Sequence, residues 1–124
     1  LAYNMSFEKR VIEDLQEAFL KEKWLHSIIE RMNDLILPFR NFWYYAPKQH
    51  GSCSIKAVLP ALTGKSYEHL EVSKGDEAAR KFLKMTYKGE PMDKTAVRKA
   101  LLEYCKQDTG GMIDILRVLQ LAAK

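Results

Sequence analysis

Apolar residues recur at helical spacing from Phe7 onward: Phe7, Val11, Leu15 and Ala18 fall on one face, and Glu8, Lys9, Glu13, Asp14 and Glu17 cover the other. The pattern predicts an amphipathic helix reaching about Lys21. Before it, Leu1, Ala2 and Tyr3 read as the end of a buried strand that enters the helix, with Asn4 and Ser6 as capping residues. A second series, Trp24, Leu25, Ile28, Ile29 and Met32, predicts a helix ending near Asn33 and Asp34, where Asp34 can cap the next element. Pro38, Pro47 and Gly51 bracket the run Phe39-Arg40-Asn41-Phe42-Trp43-Tyr44-Tyr45, which reads as loop or short strand.

Further along, Ser52 or Ser54 can cap a helix carrying Ile55, Val58, Leu59 and Leu62, with Gly64 as its terminator. Pro60 lies inside that pattern and predicts a short or kinked helix. Asp76 begins another helix with Ala78, Ala79, Phe82, Leu83 and Met85, ended by Gly89 and Pro91. Asp93 opens the last helical region, with Val97, Leu101, Leu102 and Tyr104 on one face. The spacing resumes after Gly110-Gly111 through Met112, Ile113, Ile115, Leu116, Leu119 and Leu121. That glycine pair either breaks the helix or lets another element pack closely. The sum is a mainly α chain of about five or six helices, with one short N-terminal strand at most.

Composition narrows the class without naming a function. A length of 124 residues suits one domain, 1–124, and 47% hydrophobic with 29% charged residues describes a globular chain that buries a core. The net charge of +4 and pI near 9.0 tilt the surface mildly toward polyanions. Cys53 and Cys105 show neither metal-ligand spacing nor a disulfide framework, which fits a reducing cytoplasm. No apolar run approaches the ~20 residues of a membrane span, so no membrane partner is expected. A chain opening on Leu1 reads as a piece of something longer. An unpaired strand edge at that end would offer a surface for a homodimer.

Candidate chemistry lies near the two ends. Tyr104 and Asp108 stand four apart on one helical face and can address one site. A carboxylate can hold a cation, and a nearby polar group can orient an attacking water. The same spacing also fits a core tyrosine beside a surface aspartate. Glu8 falls in the first turn of the first helix, after Asn4, Ser6 and Phe7; there it serves either a site at a sheet edge or the helix macrodipole alone.

Asn4-x-x-Phe7-Glu8 resembles the second motif of DEDD exonucleases, and Tyr104-x-x-x-Asp108 resembles the third motif of their tyrosine-bearing subclass. Asp34-Leu35, Pro38-Phe39-Arg40-Asn41, residues 51–56, Val58-Leu59-Pro60-Ala61-Leu62 and Tyr67-Glu68-His69-Leu70 are similar to a bacterial domain family of unknown function related to these ribonuclease-H-like nucleases. Glu8 replaces the aspartate usual in the second motif. The resemblance implies the helical C-terminal half of an α/β exonuclease fold. It implies Mg2+ or Mn2+ held by Glu8 and Asp108, a water positioned by Tyr104, and a single-stranded 3′ end as substrate. The first motif, Asp-x-Glu, would precede Leu1, in an N-terminal segment that this chain needs as a partner. Alone, the chain is expected to be inactive or very weak.

Between Phe39 and Lys56, the basic residues Arg40, Lys48, His50 and Lys56 interleave with Phe42, Trp43, Tyr44 and Tyr45. Together with Asn4 they form a candidate substrate-binding edge, although core packing is expected for most of the aromatics. His26, His50 and His69 lack ligand spacing, and Gly64-Lys65-Ser66 is too short for a phosphate loop. The rival to a nuclease is a non-catalytic helical module that binds nucleic acid or another protein.

Overall fold

The computed structural model describes residues 1–19, 24–87 and 91–124. Lys21 and Gly89, expected as helix boundaries, lie outside these residues. Among the described residues there are six α-helices: α1 (Ser6–Ala18), α2 (Trp24–Glu30), α3 (Leu37–Arg40), α4 (Ile55–Thr63), α5 (Gly75–Tyr87) and α6 (Lys94–Ala122), with a 3-10 turn at Pro47–Gln49 between α3 and α4. The chain is mainly α, and no sheet is present among these residues. The expected N-terminal strand is reduced to one parallel bridge between Ala2 and Asp34. There the Ala2 N–H donates to the Asn33 carbonyl and the Leu35 N–H donates to the Ala2 carbonyl, both at 2.9 Å.

The long C-terminal helix organises the core. α4 and α5 both pack on α6, while α1 packs on α2 alone. Ala100, Tyr104, Gly111 and Ile115 form the buried line of α6, a spacing of four, seven and four that keeps them on one side of a 3.6-residue helix. Leu35, Phe39, Val58, Leu59, Tyr67 and Val72 meet that line and complete the core.

The glycine pair does not interrupt α6. A Cβ built on Gly111 would lie 2.8 Å from Leu59 Cδ2, whereas one built on Gly110 would meet nothing within 4 Å. Gly111 therefore lets α4 approach α6 closely, and the 29-residue helix runs through both positions. α4 begins and ends as its sequence indicates. The Ser54 hydroxyl accepts from the Lys56 N–H, and Gly64 closes the helix at φ +75°. Asp93 caps α6 by accepting from the Thr95 and Ala96 N–H groups.

Two expectations are corrected. Pro38 and Phe39 lie in a short helix rather than a strand or loop, because Pro is tolerated in a first helical turn, where its missing N–H would be unpaired anyway. The apolar face of α1 reads as a core-facing stripe, yet Phe7 is 72% exposed and Val11 and Leu15 are both 41% exposed. α1 reaches only α2, so its opposite side meets no other helix among the described residues.

Candidate functional site

The start of α1 is fixed by a residue thirty positions away. Neither Asn4 nor Ser6 caps the helix. Instead, Asp34 Oδ1 accepts from the Asn4 N–H at 2.8 Å and Oδ2 accepts from the Met5 N–H at 2.9 Å. Oδ1 also accepts from the Ile36 N–H at 3.1 Å, so one carboxylate ties the helix start to the chain leading into α3. Asn4 adopts a left-handed conformation, φ 64°, which asparagine tolerates better than most residues. Its side-chain oxygen accepts from Arg40 Nη2 at 3.3 Å. This arrangement sets the origin of the helix that carries Glu8.

Glu8 and Asp108 line one cleft of about 300 Å3, together with Tyr3, Ile55, Cys105, Thr109 and Met112. The Tyr3 hydroxyl donates to the Cys53 carbonyl at 2.7 Å, and burial pushes that hydroxyl well above its ordinary range. Asp108 lies four residues beyond Tyr104 and seven before Ile115, in the run of α6 that otherwise faces the core. A carboxylate in such a line is costly unless it is satisfied. Tyr67 satisfies it, donating from its hydroxyl to Asp108 Oδ1 at 2.7 Å.

Tyr67 and Tyr104 flank this carboxylate with ring centroids 6.2 Å apart. Burial, then the hydrogen bond to Asp108 and its negative charge, raise the Tyr67 hydroxyl far above the usual range. Burial likewise pushes Tyr104 up to about 12, with Asp108 again adding to the shift. Both hydroxyls therefore stay protonated at neutral pH and act as donors. Tyr104 is buried, and its hydroxyl faces Gly75 at the start of α5, 3.5 Å from where a Cβ would sit.

The donor set bears on a metal. Glu8 and Asp108 are hard oxygen donors of the kind that Mg2+ or Mn2+ takes. Among the described residues, however, no three His, Cys, Asp or Glu side chains are grouped so as to hold an ion. The described residues of this chain do not by themselves fit a resident cation.

The basic candidates divide into three places. Arg40 pairs with Asn4 near the start of α1. Lys48 and Lys56 line a second groove, of about 400 Å3, which also holds Tyr67 and Lys74. His50 is exposed at the end of the 3-10 turn, with φ 49°. Gln49 holds that turn from inside: it is 2% exposed, accepts from the Ala46 N–H and donates to the Ser52 carbonyl. The expected burial of the aromatic run does not hold, since Phe42, Trp43 and Tyr45 are exposed. Of the four residues Phe42 to Tyr45, only Tyr44 is partly buried, edge-on against Phe39. The turn at Asn41 and Phe42 comes directly after α3, and the exposed rings of this run point outward.

Sequence reasoning missed Tyr3, Tyr67 and the capping of α1 by Asp34. For Tyr67 a signal existed: it is an aromatic residue in an otherwise polar stretch, and such a residue tends to find a buried place. The position of Asp108 in the Ala100-Tyr104-Gly111-Ile115 line was also legible as a carboxylate on a buried face. None of the helices in the described residues is long and apolar enough to cross a membrane.

A family model described as a domain of unknown function (DUF2779) matches residues 1–54. That stretch carries Asn4, Glu8, Asp34, Arg40, Lys48 and His50, while Lys56, Tyr67, Tyr104 and Asp108 lie beyond it. No curated protein and no solved structure matches the chain.

Proposed function

We propose that this chain is the helical part of a nuclease-like unit acting on nucleic acid, in which Glu8 and Asp108 supply two of the carboxylates of a hydrolytic centre. The observation that carries this reading is their shared cleft: residues from opposite ends of the chain line one concavity. Asp108 adds weight, because it takes a place on the buried side of α6 where an apolar residue would be less costly. The remaining carboxylates are those that the resemblance assigns to an Asp-x-Glu segment upstream of Leu1. Two carboxylates alone do not make the centre, so this chain by itself is proposed to bind rather than to cleave.

The test uses the protein extended upstream through an apolar strand bearing Asp-x-Glu. Release of nucleotides from the 3′ end of a labelled single strand is expected with Mg2+ or Mn2+ and is nearly abolished by Asp108→Asn. Equal degradation in chelator, or a full rate in Asp108→Asn, overturns the reading.

A second reading, a non-catalytic nucleic-acid-binding module, is favoured by the groove that gathers Lys48, Lys56 and Lys74. It predicts salt-sensitive binding of single strands with no degradation by the extended protein under any metal condition.

A further inference from the structure

We infer that the groove between the 3-10 turn, α4 and the segment preceding α5 is a subsite for the backbone phosphates of a single-stranded nucleic acid, leading toward the Glu8 and Asp108 cleft. This deepens the nucleic-acid reading above and rests on it.

Three ammonium groups arrive at this groove from separate parts of the chain: Lys48 from the 3-10 turn, Lys56 from α4, and Lys74 from the residue before α5. Several lysines elsewhere are neutralised. Lys9 pairs with Glu13, Lys65 with Asp114, and Lys81 with Glu71 and Glu77. Lys48, Lys56 and Lys74 enter no ion pair among the described residues, and Glu68 is the single carboxylate in the lining. Like charges gathered in one concavity repel one another, and an anion in their midst relieves that cost. Ser66 and Ser73 add neutral hydroxyl donors to the same wall.

Two further features select the class of anion. Phe42 and Trp43 are 70% and 73% exposed on the loop that leads into the Lys48 turn. Exposed rings on the loop that leads to these cations suit a ligand carrying both phosphates and unstacked bases, which a single strand has and an isolated phosphate or acidic peptide lacks. Tyr67 then joins the groove to the cleft. Lys56 Nζ stands 5.7 Å from the centroid of its ring, and its hydroxyl bonds Asp108. A strand whose phosphates lie along the lysines is thereby one side chain away from Asp108.

The experiment measures binding of a fluorescent single-stranded oligonucleotide to the whole chain, in chelator, across a range of salt. Each lysine that neutralises a phosphate contributes about 0.7 to the slope of log K against log salt for single strands. Replacing Lys48, Lys56 and Lys74 together by Gln is therefore expected to flatten the slope by about 2. The control replaces Lys94, Lys99 and Lys124 by Gln, an equal charge change at exposed sites away from the groove, and is expected to leave the slope nearly unchanged. Equal flattening by the two triple variants overturns the subsite, as does binding of polyglutamate or anionic vesicles with the same dependence on the groove lysines. Lysines at exposed positions leave folding intact, and far-ultraviolet circular dichroism verifies it; Lys74→Gln alone, expected to remove about 0.7 of slope, keeps the test decisive if the triple variant unfolds. Because the assay reads binding without divalent ions, its failure removes the subsite and leaves the Glu8 and Asp108 proposal to the hydrolysis assay.

Discussion

The Tyr67 hydroxyl donates a 2.7 Å hydrogen bond to the Asp108 carboxylate across 41 residues of chain. It joins the segment after α4 to the middle of α6, and it allows a carboxylate to stand where the helix faces its core. The arrangement is not the most stabilising way to fill this space. An apolar pair in the same space would bury equal area without the desolvation of a charge.

That comparison can be measured. Removing the donor in Tyr67→Phe leaves the partly buried carboxylate short of a partner and is expected to cost about 2 kcal/mol in urea unfolding. The double variant Tyr67→Phe with Asp108→Leu should recover most of that loss, because both polar groups leave together. A double variant as unstable as Tyr67→Phe would mean that Asp108 is present for stability after all.

The two adjacent glycines of α6 should respond in opposite directions. Gly110→Ala adds a methyl group into open space and is expected to stabilise the helix by roughly 0.5–1 kcal/mol. Gly111→Ala drives its Cβ toward Leu59, which is itself fully buried, and should cost about 1–3 kcal/mol. Thermal melts of the two variants against the parent check the sign of each.

Alkaline titration should unfold the chain in a defined window. Tyr104 ordinarily loses its proton near 10 but is pushed up to about 12 in the fold by burial and by Asp108. The folded state therefore holds a proton that the unfolded state releases, and stability falls as pH rises from about 10 to about 12. Tyr67, raised further, adds to the same slope. Tyr104→Phe should make the pH dependence in this window shallower, read as the change in urea midpoint between about pH 9 and about pH 11.5.

Asp34 should behave as a helix cap although it lies outside the helix. Asp34→Ala removes acceptors from the Asn4, Met5 and Ile36 N–H groups and is expected to cost about 2 kcal/mol, toward the upper end for loss of a cap. The effect should be local: amide exchange of α1 accelerates more than that of α6. Uniform acceleration throughout the chain would show that the carboxylate supports the core rather than the helix start.

Local rules determined much of the outcome. Ser54 and Asp93 cap, Gly64 terminates, and periodic apolar positions mark the helices, because hydrogen bonding and helical period act within a few residues. The placement of Tyr104 and Asp108 on one helix was legible for the same reason. Other features required the fold. Whether Gly110-Gly111 ended a helix or admitted a neighbour depended on where Leu59 lay. The apolar faces of α1 and of residues 42–45 promised burial, but burial requires enough opposing surface, and among the described residues α1 meets only α2, while Phe42, Trp43 and Tyr45 stay exposed. Asp34 as a distant cap, Tyr67 as the partner of Asp108, and the meeting of Glu8 with Asp108 in one cleft join segments roughly thirty to a hundred residues apart. Spacing along a chain fixes which side of a helix a residue occupies; packing alone decides what that side meets.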